Sequence, residues 1–402
     1  MNAIQLPCQE LGELSELITK GTTPTTVGFE FSEIGVPFVR AQNIRDGSVE
    51  HRIDSLFINA EAHRALARSR ISPGDILISI AGTIGRAGIV PDNSPEMNCN
   101  QAVAIVRLKS GLDRRYALHW LQSFDALSQM SQGQVTGTIS NLSLGQVSKL
   151  KVPLPPLPEQ RRIAAILDQA DALRAKRREA LAKLDEMAQA IFVEMFVSNI
   201  GKSEVWPRRS VGSLALAMRT GPFGSQLLHS EFVNEGVAVL GIDNAVSNQF
   251  AWGERRFVTE RKYRELSRYR VFPNDVIVTI MGTCGRVAIV PDDIPLAIST
   301  KHLCSITLDG GQCLPEFLHA CLLRHSEVRR QLGAAAKGAV MPGLNMGIIR
   351  RVLIPLPPIS LQAEFVNRTK GVASIVAWNR EALNLLDNLV AALQHRAFSG
   401  AL

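Results

Sequence analysis

Aromatic residues are scarce in this chain, at 5%, with 3 tyrosines and 4 tryptophans among 402 residues. A protein that grips sugars or single-stranded nucleic acid by ring stacking needs more aromatic surface, so both readings recede. The 6 cysteines include no Cys-x-x-Cys pair, and five of them stand beside apolar neighbours. Free, mostly buried thiols in a reducing cytoplasm are expected, rather than a zinc site. No apolar run approaches the roughly 18 residues of a membrane-crossing helix. The opening MNAIQLPCQELGEL has no basic start followed by an apolar stretch, so no signal peptide is expected. A cytoplasmic location follows as an expectation.

The usual catalytic motifs are missing too. Gly201-Lys202-Ser203 imitates the end of a phosphate-binding loop, but Phe196 stands where the first glycine belongs. There is no Gly-x-Gly-x-x-Gly after a strand and no Asn/Asp-Pro-Pro-aromatic motif of an amino-methyltransferase. The 8 histidines form no His-Glu-x-x-His. Glu30 with Glu33, or Asp292 with Asp293, read as surface acids. No catalytic residue, metal site or cofactor is expected in this chain. The net charge of +7 makes an anionic partner plausible without identifying one.

What is present is a duplication. Residues 71–92, ISPGDILISIAGTIGRAGIVPD, return as residues 271–292, VFPNDVIVTIMGTCGRVAIVPD. Asp75, Gly82, Gly85 and Arg86 match Asp275, Gly282, Gly285 and Arg286. Upstream, Gly12, Gly21 and Asn43 match Gly212, Gly221 and Asn244. Downstream, VPLPPLPEQ and its copy IPLPPISLQ align Gln160 with Gln362. Four blocks in one order give two globular parts of about 150 residues, each followed by a tail of about 45.

Each globular part mixes strands and helices. Asp75–Ile80 reads as a strand, Gly82–Gly85 as a turn and Ala87–Val90 as the returning strand, with the same pattern 200 residues later. Residues 59–69, 259–269 and 114–129 look helical. The fold class is α+β, with a small curved sheet expected in each part.

Each tail opens on prolines that position a helix start, with Pro158 tolerated in the first turn. Apolar residues then alternate in steps of three and four, the spacing of a coiled-coil seam. The first seam runs through Ile163, Ile166, Ala170, Leu173, Arg177, Ala180, Leu184, Met187 and Ile191. The second runs through Phe365, Arg368, Val372, Ile375, Asn379, Ala382, Leu386, Leu389 and Leu393. Arg177 and Asn379 hold the same central step, either as register-fixing polar residues or as a solvated break. Central placement leaves helix direction open, but a pair related by a twofold axis would be antiparallel. The expected segments are 1–152, 153–202, 203–354 and 355–402.

The PLPPLPEQRRIAAIL helix opening, its weaker copy PLPPISLQAEF, the GDILISIAGTIGR and NDVIVTIMGTCGR segments and the ending QHRAFSGAL resemble the specificity subunit of type I restriction–modification enzymes. The resemblance spans essentially the whole chain. It implies two target-recognition domains, separated by two long helices that pair as an antiparallel coiled coil. Each domain would read one half of a gapped site in double-stranded DNA. The helices would set the gap and dock two adenine-N6 methyltransferase subunits, which two ATP-dependent restriction subunits can join. S-adenosylmethionine, ATP and Mg then belong to those partners. A lone DNA-binding regulator and a protein-binding scaffold are the competing readings, and only the scaffold predicts no salt-dependent DNA affinity.

Candidates for DNA contact follow from side-chain chemistry, since Arg, Lys, Asn, Gln, Ser and Thr read base edges while cations and backbone N–H groups take phosphates. Gly82, Thr83, Gly85 and Arg86, with Gly282, Thr283, Gly285 and Arg286, repeat in both halves. They suit phosphate contact, or else simply turn a hairpin. Residues that differ between the copies suit sequence reading: Arg40, Gln42 and Asn43 against Asn244 and its neighbours, and Thr136, Thr138, Ser140 and Asn141 against Lys337 and Asn345. Their difference predicts a non-palindromic site.

Overall fold

Ile76–Ser79 and Val276–Thr279 are buried along their whole length, so these strands need a covering layer on both faces. That requirement organises each half of the chain. The computed structural model describes residues 6–52, 56–132, 141–197, 206–337 and 343–402. It divides into two units, Met1–Glu179 with Arg380–Leu402, and Ala180–Asn379.

In the first unit the main sheet has the order Ser15–Lys20, Val103–Leu108, Ile76–Ser79, Ala87–Ile89, Ser48–Val49 and Ile44–Arg45. Ile76 and Ile78 face a core with Tyr116, Trp120, Ile163 and Phe398. Leu77 and Ile105 face the other way, onto Val39, Met97 and Cys99. Those last residues belong to a second sheet, ordered Leu56–Ile58, Val36–Val39, Met97–Cys99 and Arg70–Ile71. A third, two-stranded sheet pairs Cys8–Glu10 with Lys151–Pro153. One small sheet was expected; doubly buried strands require the second.

The second unit repeats the plan. Its main sheet runs Ala215–Thr220, Leu303–Leu308, Val276–Thr279 and Val287–Ile289, and its second runs Phe257–Val258, Val237–Leu240, Ala297–Ser299 and Arg270–Val271. Arg208–Ser210 pairs with Leu353–Pro355. Among the described residues the main sheet ends at Val287–Ile289, without the two extra strands of the first unit.

Each main sheet is braced by a buried carboxylate. Asp75 accepts Arg107 Nε and Nη2, both at 2.8 Å, and Ser72 N at 2.8 Å. Asp275 accepts Arg219 Nη2 at 2.6 Å, Thr307 Oγ1, and Phe272 N at 2.9 Å. The arginine has changed strands between the copies: Arg107 and Thr307 hold one position of the repeat, Thr19 and Arg219 the other. A buried charge stands only when paired, which keeps one arginine on the pair of strands while leaving its position free.

The segment expected to form one helix over 114–129 forms two, Arg114–Leu121 and Phe124–Gln132. Buried Ser123 interrupts it, its hydroxyl accepting Ala126 N at 3.4 Å. The helices expected near 60 and 260 are Ala60–Ala65 and Glu260–Leu266, capped by Asn59 and Thr259.

Both tails are single helices of 40 residues, Leu157–Phe196 and Ile359–Phe398, each about 60 Å long. In the first unit, Arg162 Nη2 reaches Leu402 O at 3.1 Å and Arg174 Nε reaches Asp387 at 2.6 Å, so the helices run antiparallel. In the second unit, Arg368 pairs with Glu194 at 2.9 Å, and Phe365 packs against Phe192 and Phe196.

The phase of the seam differs from the expected one. The inward stripe takes Ile163, Leu167, Ala170, Arg174, Arg177, Leu181, Leu184, Ala188 and Ile191 on the first helix. The second takes Phe365, Thr369, Val372, Val376, Asn379, Leu383, Leu386, Val390 and Leu393. Steps of four precede steps of three. Leu173 and Ile375, expected inside, are 51% and 50% exposed, and Ile166 lies at the stripe's margin beside fully buried Leu167. Leu184, Leu386 and Leu393 are half-buried. Asn379 is buried and its Nδ2 donates to Ile375 O at 2.9 Å, whereas Arg177 is half-buried.

The joint between globular part and helix rests on one side chain in each copy. Gln160 is buried; its Oε1 accepts Asp113 N at 2.8 Å and its Nε2 donates to Pro155 O at 2.9 Å and Gly111 O at 3.2 Å. Gln362 repeats this with Leu314 N at 2.9 Å, Pro357 O at 2.9 Å and Gln312 O at 3.0 Å. Removing either amide strands buried backbone groups, at about 1–3 kcal/mol each. Gln160→Ala and Gln362→Ala should each lower the thermal midpoint by several degrees in calorimetry, while Glu159→Ala, which removes an ion pair with exposed Arg162, should not.

Candidate nucleic-acid interface

The repeated Gly-Thr-x-Gly-Arg segment forms a hairpin loop in each unit, and a buried hydroxyl shapes both. Ser79 Oγ donates to Thr83 O and accepts Arg86 N at 2.9 Å, and Gly85 N donates to Ser79 O at 2.9 Å. Thr279 does the same for Thr283 O and Arg286 N at 2.9 Å, with Gly285 N on Thr279 O at 2.8 Å. Gly82 and Gly85 have φ of 75° and 86°, a conformation open mainly to glycine. At Gly85 a side chain would also meet Leu127 Cδ2 at 2.6 Å. Gly82, Thr83 and Arg86 project into solvent, as do Gly282, Thr283 and Arg286, while Gly285 is half-buried.

A second strand of chain closes on each loop. Asn141, exposed, bridges to Ala81, and Leu142 N donates to Ile80 O at 2.9 Å. Leu344 N donates to Ile280 O at 3.1 Å in the other unit. Thr136, Thr138 and Ser140 lie outside the described residues. Lys337 ends the helix Ser326–Lys337, and its side chain is likewise outside them. Asn345 is exposed, with its Oδ1 capping the helix Met346–Arg351 by accepting Ile348 N at 2.9 Å.

Gln42, Gly85 and Arg86 share one open cleft in the first unit, with Arg40 half-buried nearby in sequence. Arg45, Asp46 and Gln122 line the same cleft. Residue-type reasoning passed over these three, although Asp46-Gly47 between Ile44 and Val49 is a hairpin-turn signal.

Asn43 and Asn244 do not project. Both are buried, at 2% and 3% exposure. Asn43 Oδ1 accepts Arg40 N at 2.8 Å and its Nδ2 donates to Glu50 O at 3.1 Å. Asn244 repeats this with Gly241 N at 2.8 Å and Ala251 O at 2.9 Å. Their amides close a turn from inside, which removes both from base reading. Next to them, Gln42 is exposed, and Asp243 accepts Arg256 Nη2 at 2.9 Å.

No helix among the described residues is long and apolar enough to cross a membrane. Of the thiols, Cys99, Cys304, Cys313 and Cys321 are buried, Cys284 is half-buried and Cys8 exposed; burial pushes Cys304 and Cys313 up to about 12.

The family model for the type I restriction modification DNA specificity domain matches residues 8–183. The chain is 22% identical over 413 residues to the type I restriction enzyme EcoBI specificity subunit of Escherichia coli, covering 96% of this chain and 84% of that one. It is 22% identical over 380 residues to the MjaVIII specificity subunit of Methanocaldococcus jannaschii, covering 90% and 85%. Among solved structures it is similar to a type I restriction–modification S subunit from M. genitalium, with a TM-score of 0.56 at 14% identity over 99% of this chain and 97% of that one. A chain solved to explain complex assembly of a type I restriction–modification system gives a TM-score of 0.52 at 16% identity over the whole of both. At such identity these structures establish the shared fold.

The buried asparagines give a direct check. Asn43→Ala and Asn244→Ala should lower the thermal midpoint by several degrees, because each strands a buried backbone donor and acceptor. An unchanged midpoint would return these residues to the surface.

Proposed function

We propose that this chain, which is similar to the DNA specificity subunits of type I restriction–modification enzymes, is such a subunit and reads a bipartite, gapped and non-palindromic site, one target-recognition domain per half. The observation that carries this reading is the hairpin present in both units. The same braced loop offers an exposed Thr and Arg each time, beside polar residues that differ, such as Gln42 and Asp243. A shared element suits the phosphate backbone, which is alike at every site, and the divergent neighbours suit bases.

The long helices fix the gap and dock two adenine-N6 methyltransferase subunits, and two ATP-dependent restriction subunits can join them. The chain supplies recognition and positioning. Methyl transfer from S-adenosylmethionine and Mg-dependent ATP hydrolysis belong to those partners, in the cytoplasm. The family fold, the absent catalytic motifs and the duplicated loops support this division of labour.

Mapping methylated adenines genome-wide, with and without this gene, tests the proposal. Deletion should remove methylation from one gapped motif with two unlike halves. A methylation pattern indifferent to the deletion, in cells that express the chain and its methyltransferase, would contradict it.

A further inference from the structure

We propose that Arg45 and Asp46 read a guanine–cytosine pair in the half-site taken by the first domain, through an element that the second domain lacks; this rests on the function proposed above. Asp46 and Gly47 have φ of 47° and 76°, the left-handed pair that makes a two-residue hairpin turn. They join Ile44–Arg45 to Ser48–Val49, the two strands that extend the first unit's main sheet.

The hairpin is fixed in place. Ser48 pairs with Ile89, and Ile89 N donates to Gly47 O at 3.0 Å. A side chain on Gly88 would stand 2.8 Å from Ser48 O, and one on Gly47 3.2 Å from Leu118 Cδ2. The turn is thus pressed against both the sheet and the helix Arg114–Leu121. Arg45 and Asp46 are exposed and line a cleft with Arg86, Gln42 and Gln122. Arg45 Nε donates to Gln42 O at 2.9 Å, which ties the guanidinium to another residue that lines the cleft.

A guanidinium fork matches the O6 and N7 acceptors of guanine, and a carboxylate accepts from cytosine N4. A rigid turn that carries the two side by side complements a G·C pair across the major groove. Arg86, from the loop common to both copies, is left to the phosphate.

Among its described residues the second domain offers no equivalent. In its corresponding segment Asn248 takes φ of 59° and turns its side chain inward, where Oδ1 accepts Val287 N at 3.2 Å. Its carbonyl accepts His319 Nε2 at 2.9 Å. The nearby acid, Asp243, is paired with Arg256. The edge that carries a reading hairpin in one copy is closed by an asparagine in the other.

The test maps methylated motifs for the full chain with its methyltransferase, as wild type, Arg45→Ala, Arg45→Lys and Asp46→Ala. Arg45→Ala should lose preference at a single G·C pair of one half-site, by about 10- to 100-fold, and Arg45→Lys should lose part of it, with the other half and the gap unchanged. Asp46→Ala should relax the same pair. Lysine keeps the charge without the fork. An unaltered motif in Arg45→Ala would mark a phosphate contact and overturn the assignment. A wild type that yields no gapped motif would instead sink the functional reading beneath it, and this assignment with it.

Discussion

A buried primary amide at the start of each long helix ties a globular part to a rod. Gln160 and Gln362 each accept one backbone N–H and donate to two carbonyls, one from the proline run and one from the loop before the domain's own helix or turn. Geometry of this kind admits no pivot, because any rotation of helix against domain would leave desolvated groups unpaired. On the proposed function, a helix can carry distance information to a recognition surface only if the two move as one body, and the same amide braces that joint in both copies despite the divergence of the residues around it.

Divergence between the copies shows which constraints are physical and which are free. The carboxylates of Asp75 and Asp275 keep one arginine each, yet Arg107 and Arg219 approach from different strands. What persists is charge compensation in a dry place. Apolar packing is similarly conserved in kind rather than in detail. Tyr116 meets Phe398 in the first unit, whereas Phe317 meets Phe196 in the second. Against that fixed frame the exposed turns vary, as a protein must if its two halves are to read different sequences from one scaffold.

Much of this was legible in the residues. The repeat, the strand–turn–strand of the Gly-Thr-x-Gly-Arg segment and the helix starts at the proline runs all follow from local rules. The seam's phase did not, because apolar residues sit side by side along both helices: Ile166 with Leu167, Ala180 with Leu181, Ile375 with Val376, Leu389 with Val390. Either member satisfies a three–four alternation, and only packing chooses. Asn43 and Asn244 misled for another reason. Asparagine suits a base edge and the inside of a tight turn equally, and its recurrence in both copies favours the turn. The Arg45 hairpin does differ between the copies, Arg45-Asp46-Gly47 against Val246-Ser247-Asn248, but residue type alone does not set it apart from other divergent turns.

In the function proposed above, helix length, transmitted through the two joints, sets the distance between two independent readings. Inserting one heptad in each long helix, at Ala180 and Ala382, preserves the seam and adds about 10 Å, close to three base-pair rises. Methylation mapping with this chain should return the same two half-site sequences with a gap longer by about three base pairs. An unchanged gap, or altered half-sites, would contradict the account.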